Sequence, residues 1–86
     1  MLEHIHEKVD VIAIYKRIGV KVYPAKVRWN GKDYIIQKLG YTHREKIGGT
    51  VHHIFHVSSD SYYFRLRFDT FNLSWLLEEV SDGLAT

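Results

Sequence analysis

Apolar and polar residues alternate most regularly between Thr50 and Val80, and the alternation has the two-residue period of β-strands. Tyr62, Phe64, Leu66 and Phe68 interleave with Tyr63, Arg65, Arg67 and Asp69. An extended chain puts the first set on a buried face and the second on the opposite one, whereas a helix would scatter Arg65 and Arg67 around its circumference. The pattern predicts strands over 51–57, 62–69 and 73–80, joined by turns at 58–61 and 70–72. A two-residue turn at Ser59-Asp60 would set Val57 against Tyr62, Phe55 against Phe64 and His53 against Leu66 on the core side. His56 would then face Tyr63, Ile54 would face Arg65, and His52 would face Arg67 on the other side. Through the next turn Phe68 faces Trp75, Leu66 faces Leu77, Arg67 faces Leu76 and Arg65 faces Glu78. Strict alternation then turns Glu79 to the core side, at a rim.

A second hairpin is marked by Asn30-Gly31, a dipeptide suited to the type I′ turn, in which both central residues need positive φ. That turn pairs Trp29 with Lys32, Arg28 with Asp33, Val27 with Tyr34 and Ala25 with Ile36. It brings opposite charges together on one face and Ala25, Val27, Tyr34 and Ile36 onto the other. Residues 9–15 are rich in β-branched side chains and read as a strand, although the spacing of Ile5, Val9, Ile12 and Lys16 also admits a short N-terminal helix. Gly19 marks a bend, Gly48-Gly49 a flexible connection, and residues 81–86 a frayed tail. The expected fold is all-β, a small antiparallel barrel or strongly curled sheet of about six strands, in a single domain spanning 1–86.

Composition narrows this picture. Eighty-six residues suffice for one core, and 45% hydrophobic content excludes a disordered chain. The absence of Cys excludes disulfides, thiol nucleophiles and thiolate metal sites. The first ten residues mix charges into an apolar background, which is not the pattern of a signal peptide. The longest uncharged apolar run, residues 11–15, falls far short of the ~20 residues that span a bilayer. A soluble cytoplasmic protein, with no membrane partner, is the expectation.

The net charge of +2 conceals a segregation. Residues 16–46 carry +7, against −2 for residues 1–15 and −3 for residues 60–86. The basic block contains Lys16, Arg17, Lys21, Lys26, Arg28, Lys32, Lys38, Arg44 and Lys46, interleaved with Tyr23, Trp29 and Tyr41. Cations with interspersed aromatic rings are the combination that tracks a phosphate backbone and stacks on bases. Arg65, Arg67 and Tyr63, together with His52, His56 and Glu78, form a second candidate surface on the polar face of the 62–69 strand. An ordinary Arg65–Glu78 surface pair on an open sheet face would produce the same pattern. DNA or RNA is the expected partner. The rival expectation is a protein-interaction or structural module, dimerising through a strand edge or through Leu76 and Val80.

Six histidines raise the question of a metal. His52 and His56 share a strand face but stand about 13 Å apart, too far for one ion at Zn–N distances near 2.0 Å. His4 and His6 would need a third ligand from elsewhere, and no His-Glu-x-x-His motif is present. No metal or cofactor is expected. There is also no nucleophile motif and no glycine-rich phosphate loop, so the chain reads as non-enzymatic.

The stretch Trp29-Asn30-Gly31-Lys32-Asp33-Tyr34-Ile35-Ile36 resembles a pattern of small uncharacterised bacterial β domains. So do the segments 53–57, 63–69 and 75–80, and together they cover about two-thirds of the chain. The likeness lies in core and turn positions. It implies a β fold and brings no catalytic residues with it.

Overall fold

The computed structural model describes residues 2–17 and 22–82. Seven strands form one antiparallel sheet: β1 (Leu2–Tyr15), β2 (Val22–Trp29), β3 (Lys32–Ile35), β4 (Lys38–Ile47), β5 (Thr50–Ser58), β6 (Tyr63–Asp69) and β7 (Ser74–Ser81). Their spatial order is β3-β2-β1-β7-β6-β5-β4. No helix occurs among the described residues, so the N-terminal segment is strand throughout. The seventh strand, absent from the expected six, is β4. Its Arg44-Glu45-Lys46 run carries no apolar alternation, and a bulge between Leu39 and Thr42 breaks the period. Gly48 and Gly49, expected as a flexible connection, are the tight turn of the β4–β5 hairpin, with φ of 56° and 84°. Ser81 ends β7, paired with Tyr63 and Leu2, rather than starting a frayed tail. The bend at Gly19, Lys21 and residues 83–86 lie outside the described residues.

The sheet does not close into a barrel, and β3 and β4 are its free edges. It nevertheless folds over its own core, because β1 serves two neighbours in succession. Residues Leu2 to Val9 pair with β7, and Asp10 to Tyr15 pair with β2. The β2–β3 hairpin is thereby carried back over β6. Tyr34 packs against Phe64 at 5.4 Å and Tyr62 at 5.6 Å, and Trp29 meets the same rings at 6.3 and 6.1 Å. Two residues separate the edge strands, and Gln37 N donates to Ser58 O at 2.8 Å, tying the chain after β3 to the end of β5. The core is Val22 and Val27 from β2, Phe55 and Val57 from β5, Phe64, Leu66 and Phe68 from β6, and Trp75, Leu77 and Val80 from β7.

The β2–β3 register matches the Asn30-Gly31 expectation pair by pair, with φ of 52° and 74° at the turn and Arg28 Nη1 donating to Asp33 Oδ1 at 3.0 Å. The β5–β6 register does not match. Val57 pairs with Phe64, Phe55 with Leu66 and His56 with Arg65, a slide of two residues that preserves the faces. The connection is wider than two residues because Ser59 Oγ accepts from Ser61 N and Tyr62 N, a side-chain turn that needs no positive φ. In β7 a bulge opposite Arg65 inserts Glu78, so that Leu66 faces Leu77 but Arg65 faces Glu79. The extra residue restores Val80 to the core and turns Glu79 outward, correcting both the rim position expected for Glu79 and the exposure expected for Val80.

Two substitutions test this packing. A Cβ on Gly40 would sit 2.9 Å from the backbone oxygen of His56, so Gly40→Ala should cost about 1–3 kcal/mol by overpacking. Leu66→Ala, at a site with no exposure, should cost about 2–5 kcal/mol. Urea denaturation measures both.

Candidate functional site

Strands β4 to β7 present an outer face built around one ion network. Glu78, only 8% exposed, accepts from Arg65 Nε at 2.9 Å and Arg67 Nε at 2.7 Å, with Arg67 Nη2 at 2.6 Å. Glu45 on β4 closes the square, 3.3 Å from Arg65 Nη2 and 3.5 Å from Arg67 Nη2. His43 Nε2 lies 3.1 Å from the same Glu45 carboxylate. That hydrogen bond, with the charges of Arg67 and Arg65, holds Glu45 below the usual carboxylate value. Two acids neutralise two arginines, and beneath them Ile54 is completely buried between His43 and Arg67. The outer face of this half of the sheet is therefore a second, polar-roofed core. His43 Nδ1, His52 Nδ1 and Arg67 Nη1 are buried there without a hydrogen-bond partner among the described residues.

Beside the network the face opens into a cleft of about 310 Å³. Two cross-strand rows build it. One runs Lys38, Ser58, Tyr63, Ser81 and Leu2, and the next runs His56, Arg65, Glu79 and His4. Bulges in β4, β7 and β1 all fall at this second row, and His6 takes φ of 56° at the last of them. Such irregularities bend a sheet locally and re-aim its side chains. Tyr41, 67% exposed, stacks on His43 at 5.1 Å and approaches His56 at 5.7 Å; Tyr63 is 56% exposed. Burial, then the charges of Arg65 and His43, holds His56 below the ordinary imidazole value, and burial beside Arg44 does the same for His53.

The expected cationic residues divide among several places. Lys26 and Arg28 are paired with Asp33, at 3.5 and 3.0 Å, on the outer face of the β1–β2–β3 region. Lys32 caps the hairpin beyond them. Lys16 rests over the Tyr23 ring at 5.4 Å, and Arg17 follows β1, exposed. Trp29 packs against the core and is no free stacking surface. Arg65 and Arg67 are held by Glu78 and Glu45. Lys38, Arg44 and Lys46 form no ion pair among the described residues, and all three stand on the open edge strand β4. Of the thirteen candidates, the structure thus gathers Lys38, Tyr63 and Arg65 around the cleft, while Arg44 and Lys46 share the strand of Lys38 but stand on its other face. It adds Tyr41, His43, Glu45 and Glu79. Tyr41 is expected only as one of the rings interleaved with the basic block; His43 and Glu45 carry no signal apart from β4, and Glu79 none apart from the bulge. Among the described residues no three His, Asp or Glu side chains lie together as a metal site, and the bulge at His6 breaks its alternation with His4.

No protein-family model matches the chain, and neither a curated protein nor a solved structure is found similar to it.

Removing one partner from a buried ion network strands the others, whereas an exposed pair contributes little. Glu78→Ala should destabilise by about 3–5 kcal/mol, and Asp33→Ala by less than about 1 kcal/mol, in urea titrations at pH 7. Acid should act in two windows. His53 and His56 bind protons less readily when folded than at their ordinary value of 6.5, so their contribution is complete above pH 6.5 and is lost as pH falls below it. Glu45 and Asp69 are lowered from 4.5 and 3.8, so their contribution is complete above those values and is lost on further acidification. The urea midpoint should be flat from pH 7 to 8, decline below 6.5, and decline again below 4.5. Histidine NMR titrations should place His53 and His56 below 6.5.

Proposed function

We propose that this curled sheet is a non-enzymatic module that binds single-stranded nucleic acid along β4 and the adjoining cleft. The observation that carries the reading is the gathering of cations without an ion pair among the described residues on one open edge: Lys38 on the cleft face with the exposed rings of Tyr41 and Tyr63, and Arg44 and Lys46 on the other face of the same strand. From Lys38 to Lys46 the edge runs roughly 26 Å, long enough for several nucleotides of backbone. Aromatic rings on a sheet stack bases that are already splayed out, which single strands offer and duplexes do not. Catalysis has little support, since Glu45 and Glu78 are neutralised by arginines and His43 is engaged with Glu45. A cytoplasmic location suits this reading, and no helix of the described chain is long and apolar enough to cross a membrane. The resemblance to small bacterial β domains adds no catalytic residue.

A second reading is favoured by the same edge. Among the described residues β4 extends ten residues without a ladder partner on its outer side and exposes Leu39 and Ile47, so an added strand from a second copy could pair there. The β4 bulge and its three cations oppose such pairing, because they are the devices that keep sheet edges single.

Fluorescence anisotropy with a short labelled single strand tests the proposal. Neutralising about three phosphates should give a log–log salt slope near −2, at roughly −0.7 for each phosphate contacted. Arg44→Glu with Lys46→Glu should weaken binding at least about tenfold and flatten that slope. Tyr41→Ala should remove one stacked base, worth about 1–3 kcal/mol. No binding at tens of micromolar protein, or binding indifferent to salt, would sink the reading. A stable dimer by light scattering that hides β4 would favour the second one.

A further inference from the structure

We infer that the cleft reads a guanine base, an assignment that rests on the single-strand reading and gives it sequence preference. The cleft is polarised by the order of the strands. Lys38 is on β4 and Glu79 on β7, three strand spacings or roughly 14 Å apart. A phosphate placed near Glu79 would meet a carboxylate, whereas near Lys38 it meets a cation with no ion pair among the described residues. A nucleotide therefore enters with its phosphate toward β4 and its base toward β7, lying across the exposed Tyr63 ring.

The groups at the β7 end match one base edge. Arg65 and Glu79 are direct cross-strand partners on the same face. Arg65 uses Nε and Nη2 on Glu78 and Glu45, which leaves Nη1 as a donor. His4 Nδ1 stands 3.4 Å from Glu79 Oε2 and orients the carboxylate, whose oxygens each retain acceptor capacity. The cleft thus presents one donor followed by a two-oxygen acceptor. On its Watson–Crick edge guanine offers one acceptor, O6, followed by two donors, N1–H and N2–H. Adenine has a single donor flanking N1, cytosine has one donor and two acceptors, and uracil has one donor between two acceptors. Only guanine satisfies Arg65 and both Glu79 oxygens together, and the other bases leave a polar group unpaired or repelled.

The test compares the four nucleoside 5′-monophosphates by NMR titration of the full chain, and then single strands differing at one base. GMP should bind about tenfold or more tightly than AMP, CMP or UMP, moving the Tyr63 ring and Arg65 Nε–H resonances. Glu79→Gln should reduce that preference to less than about threefold. If strands bind with no base preference, or if Glu79→Gln keeps the preference, guanine reading is overturned and the nucleic-acid reading stands. If GMP binds selectively but strands do not, guanine reading stands and the nucleic-acid reading falls. If neither binds, both fall.

Discussion

The outer face depends on a single residue inserted into β7. Glu78 lies where the alternation of that strand slips by one, between Leu77 and Glu79. Glu78 keeps its carboxylate on the polar face, between Arg65 and Arg67 and nearly out of contact with water. Two guanidiniums on adjacent same-face positions of β6 would otherwise repel each other above a buried Ile54. The same slip turns Glu79 outward into the cleft and returns Val80 to the core. Without it, one register would bury an acid and expose a valine.

The ion network and the cleft adjoin on one face, and the β7 bulge supplies the cleft's Glu79. The network neutralises Arg65 and Arg67, so within β4 to β7 the cations left without an ion pair among the described residues are Lys38, Arg44 and Lys46 on β4. The cleft sits where β1, β4 and β7 all carry bulges, and there the face is re-aimed instead of continuing as a flat ladder. Energetics and recognition are coupled here. The acids that stabilise the arginines also leave the edge-strand cations as the groups of this half of the sheet able to meet an anionic partner.

Much of this was legible in the chain. Asn30-Gly31 specified its hairpin because only one turn type suits that dipeptide, and the 62–69 alternation specified β6 and its faces. The β5–β6 register slid by two because Ser59 can satisfy two backbone N–H groups with its own hydroxyl, which pattern reading does not weigh. A strand that contains Arg44-Glu45-Lys46 has no apolar signature, so β4 left no trace in the pattern, and with it His43 and Glu45. The β7 bulge did leave a trace: Leu77 and Val80 are three apart, an odd spacing that cannot put both on one face of a regular strand. The total charge of the basic block was visible, but its division between paired and unpaired cations depends on which acids the fold brings near.

The inserted Glu78 is the claim on which the rest stands, and interstrand nuclear Overhauser contacts between β6 and β7 report on it directly. The account predicts backbone contacts joining Leu66 to Leu77 and Phe64 to Val80 in the same folded protein. Contacts joining Phe64 to Glu79 and Arg65 to Glu78, the uninterrupted register, would contradict it and take Glu79 out of the cleft.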